Sequence, residues 1–154
     1  MTAGDADEAH DLERLVIVES LHGLQARLCR YASSKAWDDF DRLFSASGQL
    51  RAYDDDGRLV FFADAPTIGH TLAERFGDGV LVVSANLDEL TVHSRTRADG
   101  VWELDYLAVL TEPGADRLRI QGRGYAQQTY EGHDGTWVIR SIEFTRLLVE
   151  HGHT

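Results

Sequence analysis

Four long strand candidates in succession, residues 80–93, 101–110, 117–131 and 137–149, constrain this chain's fold more than anything else in it. The breaks between them, Arg97-Ala98-Asp99-Gly100, Pro113-Gly114-Ala115-Asp116 and His133-Asp134-Gly135, are turn chemistry. Strands joined by such short connections pair antiparallel. Gly122 and Gly124 inside the third strand predict bulges or a sharp bend, the usual way to curl a sheet.

Upstream, Leu15, Val18, Leu21, Leu24, Leu28 and Tyr31 recur at three and four and predict a helix over 11–33. Ser34 is placed to cap a second, shorter helix with an apolar stripe of Trp37, Phe40, Leu43 and Phe44. Residues 49–53 and 58–62 read as a hairpin closed at Asp54-Asp55-Asp56-Gly57. That acidic turn lacks the remaining ligands of a calcium loop. Ala65-Pro66 opens a third helix that runs to about Arg75. The fold class is α+β: three N-terminal helices packed on a strongly curved antiparallel or mixed sheet, forming a cone around a pocket. One domain spans 11–150, between an acidic tail (1–10) and a short tail (151–154), both expected to be disordered.

A net charge of −11 argues against nucleic acid and against anionic membranes as partners. The single cysteine, Cys29, excludes an internal disulfide and sits in an apolar helical pattern as core filling. No signal peptide or long apolar span is visible, so the expected location is the cytoplasm. No phosphate loop or nucleophile elbow is present. The histidines of the terminal Glu-His-Gly-His-Thr offer no fixed metal geometry, and His70 reads as a helix-surface residue. The expectation is therefore no metal and no cofactor.

The stretch 100–110 carries the most pointed chemistry. Period two puts Val101, Glu103, Asp105, Leu107 and Val109 on one face, and Trp102, Leu104, Tyr106, Ala108 and Leu110 on the other. Either the carboxylates face water, or they line an apolar pocket, where a carboxylate is costly unless used or paired. Because both faces carry large apolar residues and the helices cover only one, the outer face is expected to be buried in a homodimer or higher oligomer.

Three segments resemble the SnoaL-like family of the nuclear transport factor 2 superfamily: 26–44, 99–107 and 122–150, the last with Tyr130, Gly135, Trp137, Ile139, Thr145 and Arg146. With the matching order of elements, the resemblance covers roughly 12–150. It implies the cone fold and a range of activities that includes dehydratases, isomerases, polyketide cyclases, dioxygenase accessory subunits and plain binding proteins. The Asp–His pair of dehydratase-like members is missing. Leu28 and Ser33 (or Tyr31 and Ala36) stand at the tyrosine and aspartate positions, Val83 to Asn86 where third-strand histidines occur, and Tyr125 and Gln127 where fifth-strand ones do.

The expectation is a small cofactor-independent enzyme of cyclase or isomerase type, acting on a hydrophobic oxygenated metabolite such as a polyketide. Asp105 would serve as acid–base group, its pKa raised by desolvation, and Tyr125 or Asn86 would donate to a developing oxyanion. The substrate-binding set is Leu28, Tyr31, Ser33, Trp37, Phe62, Val83, Asn86, Glu103, Gln127 and Arg146. Arg146 has the competing role of a partner that holds Asp105 or Glu103 charged and inert. The alternatives are a non-catalytic small-molecule-binding protein or an accessory subunit of a larger enzyme.

Overall fold

The computed structural model describes residues 2–110 and 117–153. Helix α1 (Ala3–Ser34) opens the chain. Its first turn is fixed by a reciprocal cap: the Thr2 hydroxyl oxygen accepts from the Asp5 N–H at 3.3 Å, and the Thr2 N–H donates to the Asp5 carboxylate at 3.0 Å. The acidic stretch expected as a disordered tail is thus helical, and Asp5 lies where the helix dipole favours negative charge. Lys35, in the left-handed region at φ 57°, ends the helix.

Helix α2 (Trp37–Asp41) is shorter than its apolar stripe suggests. Ser34 does not cap it; its hydroxyl donates to the Arg30 carbonyl within α1. Phe44 already belongs to strand β1 (Phe44–Tyr53), which pairs with β2 (Leu59–Asp64). Helix α3 (Ile68–Phe76) follows, with Pro66 just ahead of its first turn. Its N-terminal end is held by Asp41, which accepts from the Gly69 N–H at 2.6 Å. Burial raises the Asp41 carboxyl pKa, and that bond opposes the rise. Four long strands complete the chain: β3 (Val80–Val92), β4 (Arg97–Leu110), β5 (Leu118–His133) and β6 (Thr136–His153). The turn expected at 113–116 lies outside the described residues, as does Thr154; residues 151–153 continue β6.

The six strands form one sheet in the order β2-β1-β6-β5-β4-β3. All described neighbours run antiparallel except β1 and β6, which are parallel. Curvature comes from extra residues. Arg140 and Leu147 have no partner on β5, and on β3 the pair Leu87 and Asp88 opposes Trp102 alone. The bend expected at Gly122 and Gly124 is therefore made by β6, across from them.

Helix α1 lies across β3 and buries Ile17, Leu21, Leu24, Leu28 and Ala32 at helical spacing against the sheet. The Ser33 hydroxyl oxygen accepts from the Val83 N–H at 3.0 Å and fastens the C-terminal turn of α1 to β3. No described helix is long and apolar enough to cross a membrane.

Candidate ligand-binding site at the mouth of the cone

Parity decides what faces the interior. Even positions of β4 and β5 face α1: Ala98, Trp102, Ala108, Ala126, Gln128 and Tyr130 are buried. Odd positions face away, and Arg119, Arg123, Tyr125 and Gln127 are exposed.

Toward the N-terminal half of β4 the cone is closed and polar groups are tied together. The Trp102 Nε1–H donates to the Tyr130 hydroxyl at 2.9 Å, and that hydroxyl donates to Gln128 Oε1 at 2.7 Å. Burial pushes the Tyr130 pKa far up, so the group stays protonated. Gln25 on α1, 2% exposed, has neither amide atom bonded within the described residues. The polarity of this end thus comes from amides and a phenol, not from ionised groups. Cys29, its thiol pushed up to about 11 by burial, is neutral and unreactive.

Toward the C-terminal half of β4 the same inward face opens. Tyr31, Val83, Leu104, Ile120 and Phe144 point inward, pack on the core, and are only partly buried. Two aromatic rings form the floor here, and the glycines of β5 make room for them. A Cβ on Gly122 would press on the Tyr106 ring, 2.4 Å from Cε1 and 2.7 Å from its hydroxyl oxygen, and one on Gly124 would fall 2.9 Å from Cε2 of Phe144. The two rings meet edge to face with centroids 6.0 Å apart.

Arg146 on β6 stands beside this floor. Its Nη2 donates to Asp54 Oδ1 at 2.8 Å and its Nη1 to the Tyr106 hydroxyl oxygen at 3.3 Å. Asp54 reaches the mouth from the β1–β2 turn, where its carbonyl accepts from the Gly57 N–H at 2.9 Å. Burial works to lower the Arg146 pKa, but the contacts with Tyr106 and Asp54 outweigh it and hold the pKa above its ordinary value. The guanidinium therefore stays charged and balanced by Asp54. Because the Tyr106 oxygen accepts from Arg146, its own proton is free to be donated elsewhere.

The expected site residues divide between the two faces. Arg146, Tyr31 and Val83 lie inward; Leu28 is buried in the core, and Ser33 is committed to holding β3. Trp37 packs edge to face on Phe40. Asp105, Glu103, Tyr125, Gln127 and Asn86 all sit on the outer face, so the catalytic roles expected for Asp105 and Tyr125 and the substrate-binding roles expected for Glu103, Gln127 and Asn86 are corrected. Asp105 accepts from Arg123 Nε at 2.6 Å, with Glu103 3.5 Å from the same nitrogen. The arginine that holds these carboxylates is Arg123, not Arg146. Phe62 is outward too, 45% exposed under the Arg51 guanidinium. Tyr106, Phe144 and Asp54 were not expected. The signal for Tyr106 was its parity with buried Trp102 and its position opposite Gly122; that for Phe144 was its position opposite buried Ala126. Two of the three turn carboxylates expected to bind no calcium serve arginines, Asp54 toward Arg146 and Asp56 toward Arg58.

The fold matches known structures. A type 2 hexachlorocyclohexane dehydrochlorinase, LinA, superposes with TM-score 0.76 at 14% identity, over 92% of this chain and 93% of its own. A scytalone dehydratase-like protein from Novosphingobium aromaticivorans DSM 12444 gives 0.75 at 14% identity, over 92% and 91%. The beta subunit of benzoate 1,2-dioxygenase from Burkholderia mallei ATCC 23344 gives 0.62 at 12%, over 82% and 87%. The chain has the nuclear transport factor 2-like fold. At these identities the likeness fixes the cone and leaves the reaction open. No protein-family profile matches the chain.

Asp105→Asn is expected to leave ligand binding and any turnover at the parent level, since its ion pair with Arg123 lies on the outer face of the sheet, away from the mouth. Calorimetry beside an activity assay checks this; a large loss of binding would return Asp105 to the site.

Proposed function

We propose that this nuclear transport factor 2-like protein binds a hydrophobic molecule carrying a carbonyl or similar neutral oxygen at the mouth of its cone. The observation that carries the reading is the Tyr106 hydroxyl, backed by Arg146 and left with a proton to donate. The walls around it are aromatic and aliphatic, which suits an apolar body such as that of a polyketide. Balance of Arg146 by Asp54 favours a neutral ligand over a carboxylate. A second copy covering the outer face belongs to the same proposal, because Val82 and Leu148 stand exposed there.

A catalytic version, cofactor-free cyclisation or isomerisation, is supported by the same hydroxyl. A tyrosine donor backed by a fixed cation stabilises an enolate or alkoxide more than the ketone it comes from. Shape would hold the reactive conformer, since the Asp–His pair is absent. Enzymes occur among the neighbours on this fold, the dehydrochlorinase among them.

Thermal denaturation against a panel of aromatic ketones, divalent metals and nucleotides tests the reading. Ketones are expected to raise the melting temperature by mass action, about 2.7 kcal/mol of stabilisation at a hundredfold excess over Kd. The reading fails if only metals or nucleotides shift the transition.

A further inference from the structure

We infer that the groove between the N-terminal half of α1 and the edge strand β3 docks a basic amphipathic segment of a partner protein. This surface is separate from the mouth of the cone, which lies toward the C-terminal half of α1. At 100° per residue, Leu12, Leu15 and Val16 project from α1 on the side opposite Ile17, Leu21 and Leu24. They are 63%, 64% and 59% exposed, whereas the inner three are buried. The helix thus carries a second apolar stripe that nothing in the fold covers among the described residues.

The stripe runs into a cleft of about 500 Å³ between α1 and β3, lined by Asp11, Arg14, Leu15, Val18, Asp88 and Leu90. The strand wall of this cleft is built with some strain. Leu87 adopts φ 47°, a left-handed conformation costly for a leucine, and its side chain is 81% exposed in the same bulge that presents Asp88. Asp88 is pinned to α1 by His22 Nε2 at 2.9 Å, so the bulge is held against the helix. A folded chain that keeps a strained leucine in water has a use for it there.

Charge selects the occupant. Asp5, Asp7, Glu8, Asp11 and Glu19 lie along this part of α1 with Arg14 as its single arginine or lysine, Glu13 is engaged by Arg95, and Asp88 and Glu89 lie on the strand. Two copies meeting through this surface would bring carboxylates together, and an anionic bilayer would be repelled. A helix with an apolar face flanked by lysine or arginine satisfies both the stripe and its acidic rim.

The probe is a fluorescein-labelled peptide of leucine and lysine with one apolar helical face, compared with a scrambled peptide of the same composition, by anisotropy at physiological ionic strength. The amphipathic peptide is expected to bind at least about tenfold more tightly than the scramble. Leu15→Ser should remove most of that difference. Leu87→Gly should weaken binding while raising the melting temperature, because glycine accepts the left-handed backbone. Equal binding of both peptides would reduce the surface to unspecific charge, and unchanged binding by Leu15→Ser would remove the stripe from it. A change in the protein's own sedimentation on Leu15→Ser would make the occupant a second copy. Each of these overturns the inference.

Discussion

Gly124→Ala is expected to be the most damaging single substitution in the sheet, costing more than about 4 kcal/mol or preventing soluble accumulation, the range reached only by severe core or backbone conflicts. The added Cβ would overlap the carbonyl oxygen of Thr145, a backbone atom of β6, and would also press on the Phe144 ring. Thr145 cannot retreat. It is paired with Tyr125 across the ladder on one side and with Tyr53 on the other, and the Leu147 bulge begins two residues later. Gly122→Ala makes the useful comparison. Its Cβ would meet the Tyr106 ring, a side chain that can swing aside. A cost of roughly 1–3 kcal/mol, usual for overpacking, is expected there. The swing would also take the Tyr106 hydroxyl away from Arg146, so Gly122→Ala should fold yet bind ligand poorly. Chemical denaturation of both variants checks the order; a Gly124→Ala protein within about 1 kcal/mol of the parent would mean that β6 yields there.

The order of elements was readable because most breaks are chemically marked. Asp-Gly does mark the β1–β2 and β5–β6 turns, but the break expected at 97–100 is strand, paired with β3, and the chain turns at 93–96 instead. An antiparallel run with helices on one side must still curl or leave its core open. Boundaries were less readable where a local signal competes with a distant one. Residues 3–10 look like a tail by charge, yet the Thr2–Asp5 cap starts a helix there. The strand β1 begins at Phe44, five residues before its apolar pattern does, because Ile139 donates its N–H to the Leu43 carbonyl and pairs with Phe44.

The site was less legible, and the reason is specific. In β4 both faces are apolar, so the strand alone cannot say which one points inward, and the carboxylates drew attention to the wrong one. The neighbouring strand settles it. Even positions of β5 are Gly122, Gly124, Ala126, Gln128 and Tyr130, small or buried, whereas the odd ones are Arg119, Arg123, Tyr125 and Gln127. Since Glu103 pairs with Tyr125 and Asp105 with Arg123, outward Arg123 carries Asp105 outward with it. Asp54 was beyond reach for another reason: nothing local to a hairpin turn tells that Arg146, 92 residues on, will meet it.

Tyr106→Phe carries the largest expected effect on function. The phenylalanine keeps the ring over Gly122 and its edge on Phe144, so the floor and the fold should persist. What disappears is the hydroxyl that accepts from Arg146 Nη1 and holds a proton for the ligand. If the protein only binds, the loss is that of one neutral hydrogen bond, about 0.5–1.5 kcal/mol, or roughly 2- to 13-fold in Kd. If it turns its ligand over through an enolate or alkoxide, kcat should fall by about 10²–10³, as for removal of one oxyanion donor, with KM changed little. Arg146→Gln then separates the donor from its support. Removing the cation leaves Tyr106 in place but weakens its polarisation, so turnover should drop while ring-stacking affinity survives. Arg146→Gln also frees Asp54, one-third exposed, which water can solvate; stability should therefore fall much less than turnover. Isothermal titration with an aromatic ketone, together with steady-state kinetics once a substrate is found, distinguishes the outcomes. Wild-type affinity and turnover in Tyr106→Phe would remove the mouth hydroxyl from the site and leave a cone that works by shape alone.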